Sequence, residues 1–354
     1  MEDMRFESKY RDRFVTRTIN HAQPRPAWWR VRIEELVEEM KKVQKGKLEI
    51  ITRTPADFPV FAVSYGKTTP HRKVNWPSAT GSPNPSVYAK NDPEVIMAVA
   101  GIHSEECEGI VTLLNLISLL ETGKDLRGKE NPHLVELCSH YRLVILPCVN
   151  MDGRAVAPDC LCGCTHDDYL PLHTVLKNGE QLKWPALKEY FPMPMDDVAQ
   201  LGTYYNSEGY NIMLDCSPGN LKTPEAKAIL QLADRERVDC FLNFHSCGGS
   251  SHVIPPSHLN YPRNMKTVFD IRNAWLEKQG REIDKEMKVR DGQSDINVAV
   301  TLATGAAALT FEMDALTLEP FDNKLQYGYD LLEAVMEHGL KEPLCPRNEL
   351  LGKC

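Results

Sequence analysis

The sequence predicts an α/β fold: a single domain with a central mixed, mainly parallel, twisted sheet flanked by helices on both faces. Three observations lead there. EVIMAVAG (94–101), RLVILPCV (142–149), VDCFLNFH (238–245) and AAALTFEM (306–313) are short continuous apolar runs, as expected of strands buried on both faces. Segments of helical period separate several of them, and strands alternating with helices give a sheet covered on both sides. No internal repeat and no linker divides the 354 residues, so one domain over 29–340 is a better reading than two.

The elements follow in order. Residues 1–28 are polar, have no clear period, and read as an arm on the surface. WRVRIEELVEEMKKVQK places Val31, Ile33, Leu36, Val37 and Met40 on one helical face with Glu and Lys opposite, and Gly46 ends that helix. LEIITR (48–53) and VFAVSYG (60–66) read as strands, and 67–93 has the Pro, Gly, Ser and Asn of a loop. After the buried strand at 94–101, residues 106–121 have the period and length of a crossover helix. Thr223-Pro224-Glu225 opens another helix running through Leu232, with Thr as cap and Pro in the first turn. Further helices are expected over 265–279 and 324–339, with a tail from 341 to 354. The stretch 155–209 has little periodicity. So long an irregular segment is expected to be functional, folding over the mouth of the site.

Composition excludes several classes. The net charge of -8 gives no footprint for nucleic acid. No apolar run is long enough to span a bilayer, and the charged start MEDMRFESKYRDRF does not look like a secretory signal, so a cytoplasmic protein is expected. Eleven cysteines without an export signal read as reduced thiols. Cys160, Cys162 and Cys164 alternate, but their spacing matches no common zinc pattern. Nothing in the sequence speaks to oligomeric state.

Chemistry gathers at strand ends, where open α/β sheets bind ligands. Gly101-Ile102-His103-Ser104-Glu105-Glu106, Asn150-Met151-Asp152-Gly153-Arg154 and Asn243-Phe244-His245-Ser246 each follow a strand, and Glu312 lies within the fourth. Residues i and i+3 of a helical turn face the same way, so His103 and Glu106 can converge on a cation, which His245 completes. Three protein ligands leave a fourth position open, the mark of a catalytic rather than structural zinc. A carboxylate in the apolar strand at 306–313 is costly unless a site uses it.

The order HSEE, NMDGR, FHS and TFE resembles the zinc carboxypeptidase family, the carboxypeptidase A-like metallopeptidases, from the helix at 29–45 to the C-terminal helix. The resemblance implies one zinc per chain held by His103, Glu106 and His245, with Glu312 as general base in cleaving a peptide-like amide. It also shows departures. The family's Asp-x-Asn-Arg motif, whose Asn-Arg pair grips a substrate carboxylate, is matched best by Asn211-Ile212-Met213-Leu214, so two apolar residues stand where the clamp belongs. The second arginine, which polarises the carbonyl, is best matched by Arg154. Arg290, Asn211 and Ser246 are candidate substrate-facing residues, and Asn211 is also suited to orienting a ligating histidine. His166, His173, His252 and His258 read as surface or loop histidines. The expected partner is a peptide or small amide. The alternatives are a deacylase of small N-acyl amino acids, similar to aspartoacylase and succinylglutamate desuccinylase, and a zinc-retaining binding protein. The missing clamp predicts poor activity on free C-terminal carboxylates unless another residue anchors them.

Overall fold

Residues 11–13, 19, 22–68, 93–169, 172–183, 185–217, 219–257, 259–290 and 294–345 are described by a computed structural model. Most of the arm and tail, nearly all of the 67–93 loop, and His258 lie outside the described residues.

Helix α1 (Ile33–Lys41) is shorter than its apolar pattern. Trp29 and Val31 are fully buried but precede it, because Glu35 turns back to accept from the backbone N–H groups of Val31 and Arg32 at 2.9 and 3.0 Å. The hairpin of β1 (Lys47–Arg53) and β2 (Pro59–Tyr65) follows, antiparallel with a register shift between Ile50 and Thr52. Next come β3 (Val95–Ala100), α2 (Cys107–Thr122), α3 (Pro132–Ser139) and β4 (Arg142–Leu146). Two short helices, α4 (Met151–Arg154) and α5 (His166–Tyr169), lead into β5 (Thr174–Leu176), β6 (Gln181–Leu182) and β7 (Val198–Gln200). The remainder is α6 (Pro224–Glu236), β8 (Cys240–Cys247), β9 (His252–Val253), α7 (Pro262–Lys278), α8 (Ile296–Thr304), β10 (Ala307–Asp314) and α9 (Phe321–Lys341).

The main sheet has the order β1-β2-β4-β3-β8-β10-β9. Its four central strands are parallel, and its margins are antiparallel: β2 pairs with β4 on one side and β9 with β10 on the other. The expected mixed sheet is therefore present, with the parallel character confined to the centre.

Alternation along the strands builds two apolar layers. Ile96, Ala98 and Ala100, with Leu242, Phe244, Leu309 and Phe311, face α1, α2, α3, α7 and α9. Val95, Met97 and Val99, with Phe241 and Ala308, face α6 and α8. Apart from the one-turn helices α4 and α5, two helices were not legible in the pattern. α3 is short and set by Asn131, which accepts from Leu134 N–H at 3.0 Å, and by Pro132. INVAVTLAT is rich in β-branched residues and shows no clear helical face; its Asp295 cap and the left-handed Gly305 (φ 81°) make it α8.

The 155–209 stretch is not wholly irregular. It forms the small sheet β6-β5-β7 over its own apolar cluster of Leu182, Met193, Met195, Val198, Leu201 and Tyr205. Strands of two or three residues are too short to show a period.

Candidate active site

Three strand ends meet at the site. In the parallel register Glu312 pairs with His245, as Phe311 does with Phe244. Both columns turn from apolar to polar toward the carboxyl end: Phe241, Asn243, His245 on β8 and Ala308, Thr310, Glu312 on β10. Beneath the site Asn243 donates to Asn297 at 2.9 Å, and Asn297 donates to Thr310 at 2.6 Å. This hydrogen-bonded polar layer separates the core from the reactive end.

Gly101 turns the chain at the end of β3. Its φ of 63° is left-handed, and a Cβ there would meet Cys148 Sγ at 2.9 Å. The turn that follows holds His103. Glu106 is the residue before α2, with φ -79° and ψ 84°, so the pair converges through a non-helical turn rather than a helical i,i+3 face. At Gly109 a Cβ would lie 2.5 Å from Phe244 Cβ, so only glycine lets the start of α2 approach β8 this closely.

The consequence is a buried cluster. Glu106 Oε1 lies 2.9 Å from His103 Nδ1, and its Oε2 lies 2.8 Å from His245 Nδ1. The two Nδ1 atoms are 3.2 Å apart. Ser246 N–H donates to Glu106 Oε2 at 3.1 Å, fixing the carboxylate. One ligand atom from each of His103, Glu106 and His245 falls within 4.8 Å of the others. Two imidazole nitrogens and one carboxylate oxygen, all deprotonable and mutually this close, fit a zinc ion with an open coordination position. Burial opposes ionisation of Glu106, but the two imidazoles outweigh it and hold its carboxyl below the usual range. Burial pushes His103 down against the pull of Glu106, whereas at His245 Glu106 outweighs burial and raises it. Burial lifts the Glu312 carboxyl to about 7, against the nearby His245.

Asn211 is fully buried behind this cluster, with Oδ1 3.3 Å from His103 Nε2. A carbonyl oxygen there requires a proton on Nε2 and leaves Nδ1 to face Glu106. Asn211 does not line the cavity, so its place is behind His103 rather than against substrate. Ser246 does line the cavity, although its hydroxyl donates to the buried Glu108 at 2.6 Å.

The other two sequence candidates are elsewhere. Arg154 is 3 % exposed and does not line this cavity. Its guanidinium donates to the carbonyls of Ser104, Ala157 and Pro158 and to Cys107 Sγ. Those bonds engage both terminal nitrogens of the guanidinium away from the cavity, at odds with the catalytic role expected of Arg154. Asn150 and Asp152 are likewise structural: Asn150 caps α4 through Gly153 N–H at 3.0 Å, and Asp152 accepts from Ser207 N–H at 2.9 Å. Arg290 is paired with Asp295 at 2.8 Å and lines a separate small recess, within electrostatic range of Glu312. Cys160, Cys162 and Cys164 are buried with burial-raised thiols, and they are not among the described metal-capable groupings.

The cavity in front of the cluster measures about 500 Å³ and is bounded by His103, Glu106, Ser246 and Glu312 on the sheet side. The 155–209 segment adds His166, His173, Lys183, Lys188 and Tyr204 to its lining. The Tyr204 ring stacks on His103, with centroids 3.9 Å apart and planes 25° apart. Sequence reasoning missed Lys183, Lys188 and Tyr204; of the histidines read as surface or loop, His166 is exposed and His173 buried, and both line the cavity.

Residues 52–169 match the family profile described as zinc carboxypeptidase. Among curated proteins, no sequence matches the chain. The fold is similar to that of a metallo-carboxypeptidase from Burkholderia cenocepacia, at TM-score 0.56 and 14% identity over 87% of this chain and 69% of that one. It is also similar to a metallo-carboxypeptidase from Pseudomonas aeruginosa, at TM-score 0.54 and 14% identity over 88% and 68%. Residues 52–169 are thus similar to the zinc carboxypeptidase profile, and the chain shares the fold of these metallo-carboxypeptidases.

Proposed function

We propose that the protein is a zinc-dependent hydrolase of an amide bond, with His103, Glu106 and His245 holding the metal and Glu312 as general base. The observation that supports this most is the register pairing of Glu312 with His245, which sets a carboxylate beside the two-His, one-Glu cluster and on the same cavity. A zinc ion bound there would supply Lewis acidity toward water and an amide carbonyl.

The residues around it divide the remaining work. Glu106 neutralises the cluster and bridges its two imidazoles, and Asn211 fixes the His103 tautomer. Glu312 takes the proton from the attacking water as the carbon–oxygen bond forms. It then delivers that proton to the amine nitrogen as the carbon–nitrogen bond breaks. A carboxyl lifted by burial suits both halves, because its affinity for the proton lies near neutral pH. Tyr204 and the 155–209 wall shield the cluster from bulk water.

The test is product identification from a mixed peptide and N-acyl amino acid library with the zinc-loaded protein, with Glu312→Gln as control. Release of amine products by the wild type, reduced about 10²–10⁴-fold in the variant, is the expected result. Equal turnover by both proteins would contradict the general-base assignment.

A further inference from the structure

The family clamp for a substrate carboxylate has no counterpart at Met213 and Leu214, and neither residue lines the cavity. Met213 instead packs on the apolar layer under the sheet and accepts a hydrogen bond from Asn243 at its sulfur, at 3.4 Å. Two lysines bring positive charge to the cavity. Lys183, next to the short strand β6, and Lys188, at the end of a 3-10 turn (Ala186–Lys188), are the only lysines or arginines among the described residues that line it. Lys188 is within electrostatic range of Glu312 and Glu106, and burial pushes its ammonium down against their pull. His173, which shares the wall, is pushed down to about 4 by burial, with His166 and Lys183 adding to it. Both ammonium groups thus share one cavity with the metal-binding cluster and Glu312.

We propose that Lys188, assisted by Lys183, is the specificity-determining residue that receives a carboxylate of the substrate, in place of the clamp that the sequence lacks. The class of substrate is then a small amide with a free carboxylate close to the scissile bond. This rests on the hydrolase reading above, and it replaces Arg290 and Arg154 as anchors. A lysine binds a carboxylate as a point charge rather than through a planar fork, so arginine should substitute for it in part. The carboxylate has two sources of the same chemistry, the C-terminus of a peptide and the acid of an N-acyl amino acid.

The experiment is titration calorimetry on the zinc-loaded protein in a Glu312→Gln background, which prevents turnover. The probes are dipeptides and N-acyl amino acids, each paired with its C-terminal amide. The free acids should bind about tenfold tighter than the amides or better, as for hydrogen bonds to a charged group. Lys188→Met should erase that preference, Lys188→Arg should keep most of it, and Lys183→Met should reduce it. If Lys188 served only to steady Glu312, acid and amide would respond alike to its loss. Equal binding of acid and amide by the parent, or an intact preference in Lys188→Met, overturns the proposal. Preference confined to one probe set identifies the carboxylate's source. An acid preference that tracks Lys188 while the wild type hydrolyses no probe would count against the hydrolase reading and leave this assignment standing.

Discussion

The side-chain oxygen of Asn211 lies 3.3 Å from Nε2 of His103, on the far side of the ring from Glu106. That contact selects the tautomer in which His103 offers Nδ1 to the cluster. Asn211→Ala should therefore weaken zinc affinity about 10–100-fold, and Asn211→Asp should retain it. Competition with a chromophoric chelator measures this. Unchanged affinity in the alanine variant would remove Asn211 from the site.

Arg154 is expected to matter for stability and not for the chemical step. Arg154→Met leaves the buried carbonyls of Ser104 and Ala157 without this donor and Pro158 with only the weak Cys107 thiol. Each unsatisfied acceptor costs about 1–3 kcal/mol, so the melting temperature should fall by several degrees or more. Turnover per folded, zinc-loaded molecule should stay within a few-fold of wild type. A loss of a hundredfold or more at unchanged stability would return Arg154 to the catalytic machinery.

The part of the site that was legible in the sequence is the part written at strand ends. His103, Glu106, His245 and Glu312 sit where buried apolar runs turn polar, and that change is visible in the letters. The reason for the His103–Glu106 convergence was not legible, because it depends on the left-handed Gly101 and a turn before α2 rather than on helical spacing. Arg154 looked catalytic from its place after NMDG, but only the folded chain shows the carbonyls that surround it. Lys183, Lys188 and Tyr204 lie just after a two-residue strand, in a 3-10 turn and in a connecting turn, where no periodicity marks which side faces the cavity. For the sheet, the central parallel strands were readable as continuous apolar runs. The antiparallel margins were not, since pairing direction leaves no mark within one strand.

Glu225 makes stability depend on pH. It is fully buried, its carboxyl is pushed up to about 8 by burial with Asp152 adding to the effect, and Asn206 bonds it at 3.3 Å. An acid whose pKa rises on folding stabilises the fold fully below its ordinary value of 4.5. That contribution is lost as pH rises through about 8. Glu225→Gln should therefore gain stability relative to wild type between pH 6 and about 9, with the difference growing as pH rises. Thermal melts of both proteins across that range decide the sign. A variant that loses ground to wild type as pH rises would show that Glu225 is ionised in the folded protein.

The most direct test of the account is the metal content of His245→Ala beside that of the wild type. His245 Nδ1 lies 2.8 Å from Glu106 and 3.2 Å from His103 Nδ1, so its loss removes one of the three converging ligand atoms. Elemental analysis after exhaustive dialysis should find one zinc per chain in the wild type and little or none in the variant, with both proteins folded by circular dichroism. Full zinc occupancy in folded His245→Ala would contradict the assignment of this cluster as the metal centre.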